Sequence, residues 1–93
     1  NTYYFSADSG YVIQLASFQQ LSFLSRFVEK YPDVEYFSYK KTLNEQTLMV
    51  LTTAIFDNKE QANDAIKTLP PTLVEGGVWV KPLALIQSEI NDL

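Results

Sequence analysis

Tyr11-Val12-Ile13-Gln14-Leu15-Ala16-Ser17-Phe18 is the stretch on which the fold turns. Tyr11, Ile13 and Leu15 alternate with Val12, Gln14 and Ala16, the period-two pattern of a strand with one greasy and one mixed face. The strand is expected over about Gly10 to Ala16. A buried amide without partners costs free energy, so Gln14 in mid-strand is expected to face water or something that exchanges with water.

Before this strand, residues 1–9 hold the triplet Tyr3-Tyr4-Phe5 and a turn-like run, a lead-in expected to pack on the domain edge or to fray. After it, Ser17 and Gln20 stand in the S-x-x-Q spacing of a capping box, and Leu21, Leu24, Phe27, Val28 and Tyr31 repeat at three and four, so a helix is expected from Ser17 to Tyr31, stopped by Pro32. Val34 to Leu43 and Thr47 to Phe56 read as the two arms of a β-hairpin around Asn44-Glu45-Gln46. Its loop length decides whether Phe37 and Tyr39, or Tyr36 and Ser38, share a face with Leu48.

Asp57 and Glu60 form a second capping-box pair ahead of Ala62, Ala65, Ile66 and Leu69, so a second helix is expected over about Asn58 to Leu69, ended by Pro70-Pro71. A loop through Gly76-Gly77 leads to a short strand, Val78 to Lys81, closed by Pro82. Leu83, Ile86, Ile90 and Leu93 then outline a last amphipathic helix, with Glu89 and Asp92 at an end that their charge should weaken.

The order βαββαβ predicts an α+β fold of the ferredoxin or RNP kind: a four-stranded antiparallel sheet with two helices on one face and a short C-terminal helix. The first and third strands should lie in the middle. The opposite face is open unless the last helix folds across it, and one parity would put Val12, Gln14, Ala16, Leu48, Val50, Thr52, Ala54 and Phe56 there. Such a mildly apolar surface with an amide and a hydroxyl suits an elongated, uncharged ligand such as carbohydrate.

Composition narrows the function classes. Ninety-three residues with 46% hydrophobic side chains, three Gly and four Pro make one ordered domain. The start at Asn1 rather than Met points to a piece of a longer chain, so membrane attachment is expected only through an anchor outside it. Seven Lys and Arg against eleven Asp and Glu, interspersed, leave a net charge of −4 and no basic stripe for nucleic acid. Cys and His are both absent, which removes the commonest nucleophile, the commonest general base and soft metal ligation. Asp57 and Glu60 have capping roles, and Glu29 and Glu89 are placed on solvent faces, so no carboxylate pair suits glycoside cleavage. Neither catalysis nor a cofactor is expected. Ser17 has an ordinary role as a cap, Trp79 is expected in the core, and Lys40-Lys41 reads as a solvated edge pair.

The run Tyr11 to Phe18 resembles the opening signature of the SPOR domain family: aromatic, two apolar, Gln, apolar, two small, aromatic. The similarity extends over about Gly10 to Ile90, through Val50 to Phe56, Asn58-Lys59-Glu60-Gln61-Ala62 and the close Val78-Trp79-Val80-Lys81-Pro82-Leu83, making residues 10–93 a SPOR-like domain. The resemblance implies a monomeric, non-catalytic module for denuded peptidoglycan glycan strands, those lacking stem peptides. It implies a place in the periplasm at the division septum, in a parent protein held in the inner membrane and in reach of other division proteins. Carried onto this chain, the glycan-binding residues are Gln14, Ser17, Leu48, Thr52 and Phe56, with Leu48 standing where related domains carry Trp and Tyr39 as a candidate replacement. The alternative is a protein- or RNA-interaction module using the same open sheet face.

Overall fold

The structure, a computed structural model, describes residues 10–91, so the lead-in and the terminal Asp92 and Leu93 lie outside the described residues. The elements are β1 (Tyr11–Phe18), α1 (Leu21–Lys30), β2 (Phe37–Leu43), β3 (Gln46–Thr52), α2 (Lys59–Ile66), α3 (Pro71–Glu75), β4 (Trp79–Pro82) and α4 (Leu83–Asn91). The sheet runs β2-β3-β1-β4 with every neighbouring pair antiparallel, which puts β1 and β3 in the middle as expected.

The element ends differ from the sequence reading for identifiable reasons. Ser17 is a strand residue opposite Val50, and the cap of α1 is Gln20, which makes no side-chain cap bond. A Ser cap is worth about 1 kcal/mol. Two further strand pairings and the packing of Phe18 on Phe27, with ring centroids 5.6 Å apart, outweigh it. The cap of α2 falls on Asn58 rather than Asp57. Asn58 Oδ1 accepts from the Gln61 N–H at 2.8 Å while Gln61 Oε1 accepts from the Asp57 N–H at 3.2 Å, a reciprocal pair displaced along the chain. The α2 helix ends at Ile66, and Pro70-Pro71 open α3 where a loop was expected, because Pro71 fills the first helical position, whose missing N–H costs nothing.

The hairpin turn is Asn44-Glu45, with φ of 51° and 67°, as a tight primed turn requires. Its length sets the register: Phe37, Tyr39 and Lys41 stand opposite Thr52, Val50 and Leu48. Strand β3 stops at Thr52, short of the expected Phe56. Beyond it Thr53 serves Ile13 twice, its N–H donating to the Ile13 carbonyl and its Oγ1 accepting from the Ile13 N–H, each at 3.0 Å. The chain rejoins the sheet only at Phe56, bridged to Tyr11.

Two apolar clusters lie on opposite faces of the sheet. Ile13, Leu15, Leu51, Ala62 and Leu73 are buried on the α1, α2 and α3 side, where Phe27 contacts the rings of Phe18, Tyr31 and Tyr36. Val12, Tyr39, Val50, Leu83 and Ile86 are buried on the other side, under α4. The face expected to be open is therefore partly covered. The cause is legible in the chain: the Leu83 N–H donates to the Gly10 carbonyl at 2.8 Å, which starts α4 against β1, and Leu83 and Ile86 share one helical face.

A buried ammonium fixes α4 in place. Lys81, 1% exposed, donates to Gln14 Oε1 at 2.9 Å, to the Tyr39 hydroxyl at 2.7 Å and to Glu89 Oε1. An ammonium has three N–H donors and all three are used. Glu89 also accepts from the Tyr39 hydroxyl at 3.1 Å and pairs with Lys41 at 2.9 Å, so it faces the sheet and not solvent, while Asp92, at the end expected to fray, lies outside the described residues. Burial pushes the Lys81 ammonium below its ordinary value, against the pull of Glu89. Burial alone would raise the Glu89 carboxyl, but the hydrogen bonds and charges of Lys81 and Lys41 together hold it below its usual 4.5.

Truncating Ile86→Ala should cost about 2–4 kcal/mol by loss of buried contacts and the cavity left behind, read from urea unfolding at neutral pH. The Glu89 carboxyl gives a pH signature. Because its folded value is depressed, its stabilisation is complete above the ordinary value of 4.5 and is lost as pH falls through the folded value. Wild type should therefore exceed Glu89→Gln in stability at pH 7, and the gap should close on acidification. A gap independent of pH would show that the carboxylate charge does not hold the helix.

Candidate functional site on the sheet face

The geometry of the site begins with a bulge in β1. Gln14 stands opposite Thr52 while Ala16 stands opposite Leu51, so β1 carries one residue more than β3 over this interval. Strict alternation would have put Ala16 beside Gln14 and turned Ser17 away. The extra residue reverses both. Ala16 turns to the α1 side, where it lines a groove with Phe18 and Phe27, and Ser17 stands opposite Val50 on the face of Gln14. The expected trio of Val12, Gln14 and Ala16 is corrected to Val12, Gln14 and Ser17.

Neighbouring strands complete the face. Strand β4 sets Trp79 opposite Gln14 and Lys81 opposite Val12, and β3 contributes Leu48, Val50 and Thr52. Helix α4 covers Val12, Val50 and Tyr39, leaving a patch in which Ser17 is exposed, Trp79 is 44% exposed, and Gln14 and Leu48 are half-buried. Three of the expected residues, Gln14, Ser17 and Leu48, thus share one accessible face. Two do not join them. Thr52 is on the same face but has no exposed surface, and its hydroxyl donates to the Thr53 carbonyl at 3.0 Å. Phe56 packs with the cluster on the α2 side, because the strand ends at Thr52 and the irregular residues 53–55 break the alternation that would have carried it to the Gln14 side. Ala54 follows Phe56, lining a cavity on that same back side.

The amide of Gln14 has a defined orientation. Lys81 Nζ can only donate, so the group it touches at 2.9 Å is the amide oxygen, and Nε2 with its two N–H groups is the free end. Among the described residues that nitrogen has no partner. The same ammonium lies 5.4 Å from the ring centroid of Trp79, a cation–π contact that steadies the indole beside the amide. One buried charge therefore positions both a donor pair and an aromatic plate.

Sequence reasoning missed Lys81 and misplaced Trp79 and Tyr39. A lysine in a short strand ordinarily points to water, and nothing nearby in the chain signals that Glu89 folds back onto it. Trp79 is on the surface rather than in the core; its shared parity with Lys81 on β4 was the available clue. Tyr39, the candidate aromatic replacement at Leu48, is 5% exposed and its hydroxyl is engaged by Lys81 and Glu89, so it offers no platform. Lys41 of the supposed solvated pair is in an ion pair, while Lys40 is exposed.

The patch holds hydrogen-bonding and aromatic groups without a set of converging acids. Among the described residues no three His, Cys, Asp or Glu gather to hold a metal, and no helix is long and apolar enough to cross a membrane. The SPOR domain family matches residues 7–82, from ahead of the bulged strand to the last residue of β4, with α4 following the matched segment. On that match the chain belongs to the SPOR domain family, whose members are binding domains for peptidoglycan.

Proposed function

We propose that the uncovered patch of the sheet binds peptidoglycan glycan strands that lack stem peptides, and so carries a DamX-like parent protein to the division septum in the periplasm. The observation that carries the reading is the placement of Gln14 beside Trp79 by the Lys81 ammonium. A glycan strand presents ring faces and many acceptor oxygens, in acetamido carbonyls, ring ethers and hydroxyls. The Gln14 Nε2 group donates to such acceptors, Ser17 both donates and accepts, and Trp79 with Leu48 packs against a ring face. An indole at Trp79 takes the part that related domains give to an aromatic at the position of Leu48.

The preference for stripped strands has a steric basis. Helix α4 borders the patch along the line of Val12 and Tyr39, and a strand bearing peptides on alternate sugars would press them against that helix. Catalysis plays no part in the reading, since the patch contains no paired carboxylates and no group poised as a nucleophile. Septal enrichment then follows from where stripped glycan accumulates, without a protein receptor.

Co-sedimentation of the domain with purified sacculi, before and after amidase removal of the stem peptides, tests the proposal. Binding should rise after stripping, and Gln14→Ala and Trp79→Ala should each lower affinity by roughly tenfold, as loss of a central contact does, with the circular dichroism spectrum unchanged. Equal binding to intact and stripped sacculi would remove the stem-peptide preference, and full binding by both variants would move the site elsewhere.

A further inference from the structure

On the back of the sheet lies a cavity of about 600 Å³, between the C-terminal end of α2, the α1–β2 connection and residues 53–56. Its size is within the range of ligand pockets, roughly 300–1,000 Å³. Ile13, Ala54, Phe56, Ala65, Leu69 and Pro70 supply apolar walls. The hydroxyls that line it are already committed: Thr53 Oγ1 accepts from the Ile13 N–H and donates to the Ala54 carbonyl at 3.0 Å, and Thr68 Oγ1 donates to the Ala65 carbonyl at 2.7 Å. A sugar entering here would find no wall hydroxyl with a proton left to donate to it. The lining also includes Asp33 and Glu35 from the α1–β2 connection, both exposed and neither in an ion pair among the described residues.

We propose that this cavity is a second binding site, one that receives a protein segment carrying a large aliphatic or aromatic side chain next to a lysine or arginine. The apolar walls accept the side chain, and the two unpaired carboxylates select the flanking positive charge and reject acidic segments. Asp33 and Glu35 are the charged groups of the lining, and a cation placed beside them gains from both. Because the cavity is on the α2 side and the Gln14 patch on the α4 side, the two sites can be filled at once. The domain would then hold a glycan on one face and a basic, apolar peptide segment on the other.

The test is an NMR titration of the isotope-labelled domain with two capped tetrapeptides, acetyl-Lys-Leu-Phe-Lys-amide and its glutamate counterpart acetyl-Glu-Leu-Phe-Glu-amide. The lysine peptide should produce saturating shifts of the Thr53, Phe56 and Thr68 amides at up to millimolar concentration, and the glutamate peptide should not. The double variant Asp33→Asn with Glu35→Gln, both at exposed positions, should lower affinity by roughly three- to tenfold, as expected for two solvent-exposed charge contacts, and added salt should do the same in wild type. Shifts centred instead on Gln14 and Ser17, equal affinity for the two peptides, or no saturating shift at the three back-face amides would overturn the proposal.

Discussion

A buried positive charge must be answered by acceptors, and the Lys81 ammonium organises much of this domain around that requirement. Left alone it would cost several kcal/mol in desolvation. Its three acceptors come from β1, β2 and α4, while the lysine itself is on β4. Three of the four strands and the last helix are thereby joined through one atom. The same atom decides which end of the Gln14 amide is free. Packing of α4 and orientation of the amide are here the same contact seen from two sides, because the charge that secures α4 through Glu89 also leaves the donor end of Gln14 free at the exposed patch.

The bulge in β1 does for backbone geometry what Lys81 does for charge. Period-two alternation cannot place residues 14 and 17 on one face of a strand; an extra residue between them can. Ser17 gives up a helix-capping role to join the exposed face of the sheet beside Gln14, and α1 begins without a side-chain cap. Local stability of about 1 kcal/mol is exchanged for a hydroxyl beside an amide. Bulges near functional positions commonly serve to re-aim a side chain, and this one re-aims two.

The overall topology was legible because it rests on local signals. The alternation of Tyr11 to Leu15, the helical spacing of Leu21 to Tyr31, and the hairpin loop at Asn44-Glu45-Gln46 all act over a few residues; they give the element order βαββαβ, from which right-handed crossovers lead to the strand order β2-β3-β1-β4. Gln14 was legible for a related reason: an amide in an apolar strand needs an explanation wherever the strand sits. What stayed hidden depends on contacts distant in sequence. Tyr39, Lys81 and Glu89 meet only after the sheet closes and α4 folds over it, so nothing in the local pattern marks any of them. Phe56 was misplaced because parity was carried along the chain past the strand's true end, Thr52 because its parity was right but its burial depends on what packs over the sheet, and Trp79 because its residue type favours burial in the absence of any knowledge of what covers β4.

The exposed position of Trp79 has a further consequence, for spectroscopy. It is the single tryptophan of the chain, and its indole lies on the surface next to Gln14 and within reach of a buried ammonium. In most small domains a lone tryptophan is in the core and its emission reports global unfolding. Here the intrinsic fluorophore is on the exposed patch proposed to bind glycan, so its emission and its quenching by solutes describe the state of that patch without any attached label, while the fate of the core has to be followed by the backbone signal.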